Sequence, residues 1–182
     1  VDVAIRFGNG RYPGLFSRPL IREWFTPMMS PELAATYRSP ADLAHATLFH
    51  AEDTEMLSPS IDWRAWFEAE GVSVTPKAGP RFSRSDHAID AAISGSGVVL
   101  GRISLTSQAL RHGQLIAPFQ TALSTDAHYT LVCQAGAETL PQIAAFHDWI
   151  SGETTQVDYF ASGRNFVAPR QETVGNVNGG VS

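Results

Sequence analysis

Three residue types of hydrolytic chemistry stand side by side at Ser85-Asp86-His87. Neighbours on one helical turn point in different directions, whereas triad members converge from separate segments. The run is better read as a helix entry, because Ser83-Arg84-Ser85-Asp86 follows the capping-box pattern. His45 and His50, with Glu52, Asp53 and Glu55, are metal-ligand types, but their spacing matches no standard site. They read as a solvated acidic loop. Gly95-Ser96-Gly97 with Gly101 lacks the dinucleotide-binding spacing and follows a helix instead of opening one. It is no nucleophile elbow either, and reads as a helix stop with tight helix–strand packing. One feature offers chemistry. A helix starting at Ser83 and Ser85 presents unpaired N–H groups, two hydroxyls and a positive dipole end to a small carboxylate or other anion. The alternative is that both serines merely cap the helix.

These residues need elements to hold them. Asp2 to Phe7 reads as a strand entering the Gly8-Asn9-Gly10 turn, and Pro13-Gly14 marks another turn. Leu15 to Met29 reads as one or two strands. Ser30-Pro31 and Ser39-Pro40 open two short helices, the second with Asp42 placed for a capping box. Asp62 caps a helix from Trp63 to Glu70, with Trp63, Trp66 and Phe67 on one face and Gly71 as its stop. The helix at Ser85 buries Ile89, Ala92 and Ile93, and Gly95 closes it. Val98-Val99-Leu100 is apolar without alternation, as in a buried parallel strand. A helix from Leu105 to Arg111 stops at Gly113. Leu115-Ile116 and Tyr129 to Cys133 read as strands. A last helix from Pro141 buries Ile143, Phe146, Trp149 and Ile150 before Gly152, and residues 153–182 read as a flexible tail. Alternating strands and helices give an α/β class with a mainly parallel sheet.

Composition narrows the function. The chain has 182 residues, enough for one domain or two small lobes. Its net charge is −5 without any Lys/Arg block, so it carries no electrostatic footprint for nucleic acid. Cys133 is the only cysteine, which excludes an intramolecular disulfide, disfavours a cysteine zinc site and suits a reducing compartment. It reads as a buried structural thiol. No apolar run approaches the roughly 20 residues that span a bilayer. The chain opens inside a strand-like run and reads as a fragment whose start lies upstream. An α/β enzyme would need titratable groups converging in one pocket, and no set stands out.

Several segments, taken in order, resemble the effector-binding domain of LysR-type transcription regulators. Asp2-Val3-Ala4-Ile5-Arg6-Phe7-Gly8-Asn9-Gly10, Pro27-Met28-Met29-Ser30-Pro31 and Ser39-Pro40-Ala41-Asp42-Leu43 carry the likeness, as do Asp62-Trp63-Arg64-Ala65-Trp66, Phe82 to Gly101, Pro118-Phe119, Tyr129 and Phe146 to Ile150. Together they cover about residues 1–152 and are similar to the branch of the glycine-cleavage activator and the β-lactamase-inducing regulator. The resemblance implies a type 2 periplasmic-binding-protein-like fold, with two Rossmann-like lobes joined by two crossing strands and lobe I incomplete. Residues 1–22 would be the remnant of lobe I with the first crossing strand, and 23–128 lobe II. Residues 129–152 would be the second crossing strand and closing helix, and 153–182 a tail. It further implies a cytoplasmic regulator binding a small anionic or zwitterionic effector, without cofactor, metal or membrane partner. Contacts are expected at Arg6, Phe7, Gly8, Phe82, Ser83, Ser85 and Tyr129. DNA would be bound only through an N-terminal domain that this sequence lacks, and self-association as dimer or tetramer belongs to the full-length protein. Ser83 and Arg84 depart from the Asp and Ser/Thr usual in that branch, so effector identity does not carry over. A transporter's solute-binding protein, which shares the bilobal fold, is the rival reading.

Overall fold

The computed structural model describes residues 2–55 and 57–170. In chain order the elements are β1 (Val3–Gly8), β2 (Leu15–Met28), α1 (Pro31–Thr36), a 3-10 turn (Pro40–His45), β3 (Leu48–Ala51), α2 (Glu52–Glu55), α3 (Trp63–Glu70), β4 (Arg81–Phe82), α4 (Ser85–Ile93), β5 (Val98–Arg102), α5 (Ile103–Arg111), β6 (Thr121–Gln134), α6 (Pro141–Thr155) and β7 (Asn165–Val167). The strands form one open sheet in the order β1-β6-β2-β5-β3-β4, with β7 also on β6.

The sheet is mixed, which corrects the expectation of a mainly parallel one. β1–β6, β6–β2 and β2–β5 pair antiparallel, while β5–β3, β3–β4 and β6–β7 pair parallel. The reason is that Leu15 to Met28 is a single strand of 14 residues, and β6 starts at Thr121 instead of Tyr129. These two long strands run side by side through the whole sheet. Their register slips between Pro19 and Ile21 and again between Arg22 and Trp24. Such slips bend a strand pair and re-aim its side chains, and here they fall where crossing strands were expected.

Alternation along the central strands feeds two cores. Phe25, Met29, Val98 and Leu123 pack on the Trp63-Trp66-Phe67 face of α3. Trp24, Met28, Val99 and Ile103 pack on the opposite side with Ala88, Ile89 and Ala92 of α4. The indole N–H of Trp66 donates to the Thr121 carbonyl (3.1 Å) and that of Trp63 to Phe49 (2.8 Å). Caps sit where the sequence places them. Ser30 accepts from Leu33 N–H, Asp62 accepts from Ala65 N–H, and Gly71 closes α3 in the left-handed region. Gly95, at φ +79°, stops the α4 turn, while Gly97 and Gly101 lie hard against Phe49 and Met28.

The C-terminal expectation needs two corrections. Of the four apolar residues expected under α6 only Ile143 is fully buried; Phe146 and Ile150 are half-buried, and Trp149 is 59% exposed. Residues 153–170 are not a tail. α6 continues through Gly152 to Thr155, a 3-10 turn follows at Asp158–Ala161, and β7 pairs with Thr121–Leu123. One helical glycine costs only about 1 kcal/mol, which the packing beyond it outweighs. Val157 is buried, Phe166 meets Trp24 edge-on, and Arg164 donates to the carbonyls of Phe119 and Phe160. The rest of the expected tail, 171–182, lies outside the described residues. Leu115-Ile116 forms only an isolated bridge, Met29 to Ile116.

Candidate functional site

The expected effector contacts fall into two groups. The first is the entry of α4. Phe82, on β4, packs edge-on against Phe49 with ring centroids 5.2 Å apart. Ser83 is exposed. Ser85 is not: it is 2% exposed and already has a carboxylate partner. Its hydroxyl donates to Asp53 Oδ1 (2.7 Å) and its backbone N–H to Asp53 Oδ2 (3.1 Å). The helix start does bind a carboxylate, as its dipole and free N–H groups dictate, but that carboxylate is the chain's own. Neither serine caps α4, whose N-cap is Arg84 without a side-chain bond. The Arg84 side chain instead forks onto Asp86 (3.0 and 2.7 Å), which holds the Asp86 carboxyl down at about 2. The acidic run beside it is no solvated loop. Glu52 and Glu55 pair with Arg81, at 3.6 and 2.6 Å, and Glu55 faces His50. No His/Cys/Asp/Glu group among the described residues is arranged to hold a metal.

The second group lies on the long strands. Phe7 stands directly opposite Tyr129 across β1 and β6, with rings 5.1 Å apart. Gly8 is opposite His128, and Arg6, opposite Thr130, is exposed and on the other sheet face. Arg102, the last residue of β5, reaches over both rings. Its guanidinium carbon lies 4.0 Å from the Phe7 ring centroid, and its Nη2 donates to the Tyr129 hydroxyl (3.2 Å). Cation–π contact of this kind strengthens when water is excluded, and Arg102 is 7% exposed.

Behind Arg102 is Glu23, fully buried at the second strand slip, with Oε2 3.3 Å from Arg102 Nε. Both Glu23 oxygens, Arg102 Nε and Ser104 Oγ are buried without a hydrogen bond, so the approach stops short of bonding geometry. Burial pushes the Glu23 carboxyl up, opposed by Ser104 and the Arg102 charge. Two cavities flank this cluster. One, of about 340 Å³, is walled by Ile21, Glu23 and Trp24 on one side and Val157, Ala161 and Phe166 on the other. The second, of about 210 Å³, is mostly apolar and lined by Ile5, Ile21, Ser104, Leu105, Tyr129 and Ile150.

A further chain of triad types lies on α6, where His147 bonds Asp148 (3.1 Å) and Ser151 (3.2 Å). Asp148 is 83% exposed, so it lacks the desolvation that lets a triad acid hold its imidazole.

Residues 1–154 match the model of the LysR substrate binding domain. The chain belongs to this family. It is 32% identical over 156 residues to the HTH-type transcriptional activator AmpR of Rhodobacter capsulatus, covering 86% of this chain and 52% of that protein. It is 34% identical over 154 residues to the glycine cleavage system transcriptional activator of Escherichia coli, covering 82% and 48%. These relatives are transcriptional regulators of the branch expected, and the LysR chain described here spans about half their length. The effector domain of the transcriptional regulator AmpR of Pseudomonas aeruginosa superposes with a TM-score of 0.65 at 29% identity, over 90% of this chain and 75% of that one. The fold is thus the periplasmic-binding-protein-like α/β fold of LysR effector domains.

Sequence reasoning missed Asp53, Glu23 and Arg102. An arginine closing the apolar run Val98-Val99-Leu100 was the available signal, since such a strand end rarely carries an unpaired charge. Glu23, between Arg22 and Trp24, has no counterpart signal, because the strand slip that turns it inward is set by pairing.

Proposed function

We propose that this chain is the ligand-sensing domain of a LysR-type transcription regulator, binding a small anionic or zwitterionic effector between two lobes. The observation that carries the reading is the family match over residues 1–154, joined to relatives named as transcriptional regulators. The lobes are the β1 side and the β3–β5 side of the sheet, hinged where β2 and β6 slip register. Phe7 and Tyr129 face the effector from the hinge, and Phe82 and Ser83 from the α4 entry. Ser85 takes part only if Asp53 is displaced. An effector acts by binding one lobe arrangement better than another. The full-length protein is cytoplasmic, self-associates and binds DNA through a separate domain.

The reading frame upstream of the Val1 codon tests this proposal. A helix-turn-helix segment there supports the regulator. A secretion signal joined directly to this chain would replace it with a transporter's solute-binding protein.

A further inference from the structure

The register slip between Arg22 and Trp24 places Glu23 where β2 meets the end of β5 and the start of α5. Its side chain is fully buried, and neither carboxylate oxygen has a hydrogen bond. A carboxylate ion without donors in a dry site is held far worse than the neutral acid. Arg102, 3.3 Å away, supplies charge but no bond from Nε. Nor does the guanidinium depend on Glu23. It lies over the Phe7 ring at 4.0 Å and the Tyr129 ring at 5.5 Å, and its Nη2 donates to the Tyr129 hydroxyl. Arg102 therefore joins β5 to β1 and β6 whether Glu23 is charged or neutral, and Glu23 is the β2 side chain that meets this group.

The other charged groups around the slip turn elsewhere. Arg22 reaches the Thr125 carbonyl and Asp126, His128 bonds the Asp126 carbonyl, and Arg164 stands over Trp24 and donates to the carbonyls of Phe119 and Phe160. Asp158 lines the same 340 Å³ cavity as Glu23, with the hydroxyl residues Ser124 of β6 and Thr154 of α6. We propose that Glu23 is a proton-operated latch on the strand hinge: neutral, it stays behind Arg102 and β2 keeps its set against β6; ionised, it turns towards Ser124, Thr154 and water in the cavity and frees β2 at the slip. The proton passes to solvent. The direction follows from burial, which raises the Glu23 carboxyl above its ordinary range against the opposing pull of Ser104 and Arg102. The latched arrangement therefore gains on acidification and loses as pH rises through the raised value. Its consequence for sensing rests on the two-lobe reading; the titration itself does not.

The test is a pH titration of the 182-residue chain by NMR, without DNA or ligand. The Glu23 carboxyl carbon should titrate above 4.5, and the Trp24 indole N–H and the Tyr129 ring should follow with the same midpoint. In Glu23→Gln, which stays neutral, those two signals should hold their acid-end positions throughout. His128→Gln and Asp158→Asn should leave all three signals moving together. Amide exchange from Ile21 to Phe25 reads the release itself. At about pH 8 it should run about tenfold faster in wild type than in Glu23→Gln, and at about pH 4 equally fast, with Leu131–Cys133 alike in both. A merely structural role for Glu23 gives no such dependence on pH. Should Glu23→Gln fail to fold, Glu23→Leu stands in with the same expectations. The proposal is overturned if Glu23 titrates at or below 4.5, if the Trp24 and Tyr129 signals still move in the neutral variant, or if exchange at the slip matches at both pH values. None of these results bears on the upstream reading frame, which tests the regulator assignment separately.

Discussion

A carboxylate at a helix start is worth what its hydrogen bonds are worth, and the acids of this chain span the range. Asp53 accepts two bonds from Ser85. Bonds to a charged group contribute about 1.5–3 kcal/mol, so Asp53→Ala is expected to lower stability by about 1–3 kcal/mol in urea unfolding. Asp86 is only half-buried, yet the Arg84 fork holds its carboxyl at about 2 against an ordinary 3.8. A depressed carboxyl stabilises the fold above 3.8 and loses that contribution as pH falls through 2. Carboxyl NMR should show Asp86 titrating near 2, and Arg84→Ala should return it to the ordinary range. Glu23 has the opposite sign. Its folded carboxyl is raised above 4.5, so above 4.5 the folded chain keeps a proton that the unfolded chain has released. Stability therefore falls as pH rises through that window. Removing Arg102 alone strands the Glu23 charge, and Arg102→Met should cost about 3–5 kcal/mol at neutral pH. The double variant Glu23→Leu with Arg102→Met should recover most of it, since apolar replacement of a buried pair is often neutral or stabilising. A double variant as unstable as Arg102→Met would show that the pair holds the hinge by more than charge.

At the scale of elements, the turn from α4 into β5 works only without side chains. A Cβ on Gly97 would stand 2.6 Å from the Thr47 carbonyl oxygen and 2.7 Å from the Phe49 ring. Backbone cannot retreat as a flexible side chain can, so Gly97→Ala is expected to cost about 1–3 kcal/mol, read as a lowered thermal midpoint. This packing is legible in the sequence because its signals are local. Asp62 and Gly71 bound α3, Ser30-Pro31 opens α1, and Gly95 follows the last apolar residue of α4. Local signals fail where partners are distant in the chain. The length of β6 depends on β2, whose Arg22 reaches Thr125, and on β7 beyond α6. Gly152 and the Gly/Asn-rich residues after Glu172 point towards a tail, while the residues that hold 153–170 in place act through Phe119 and Trp24. Of the candidate site, Phe7 and Tyr129 are legible from a resemblance and do meet. The charges over and behind them are not, because only the fold brings β2 and β5 together.

At the scale of the whole molecule, the two long strands make every part of the sheet depend on the same pair. The C-terminal segment closes one flank of that pair, and its contribution can be measured. Ending the chain after Thr155 removes Val157, the Arg164 bonds to the carbonyls of Phe119 and Phe160, and the β7 edge on Thr121–Leu123. It also uncovers Trp24 and opens the wall of the 340 Å³ cavity that Val157, Ala161 and Phe166 supply. Burying one side chain of the size of Val157 stabilises by about 1.5–3 kcal/mol. In a chain of this size each kcal/mol moves the midpoint by about 2–4 °C. The shortened chain should therefore melt about 5–10 °C lower than the 182-residue one. Hydrogen exchange should quicken at Thr121–Leu123, where β7 is lost, and stay slow at Leu131–Cys133, where β1 still pairs. Equal melting and equal exchange would mean that 156–170 only lies on the sheet. Uniform quickening along all of β6 would mean that the segment supports the entire strand pair, hinge included.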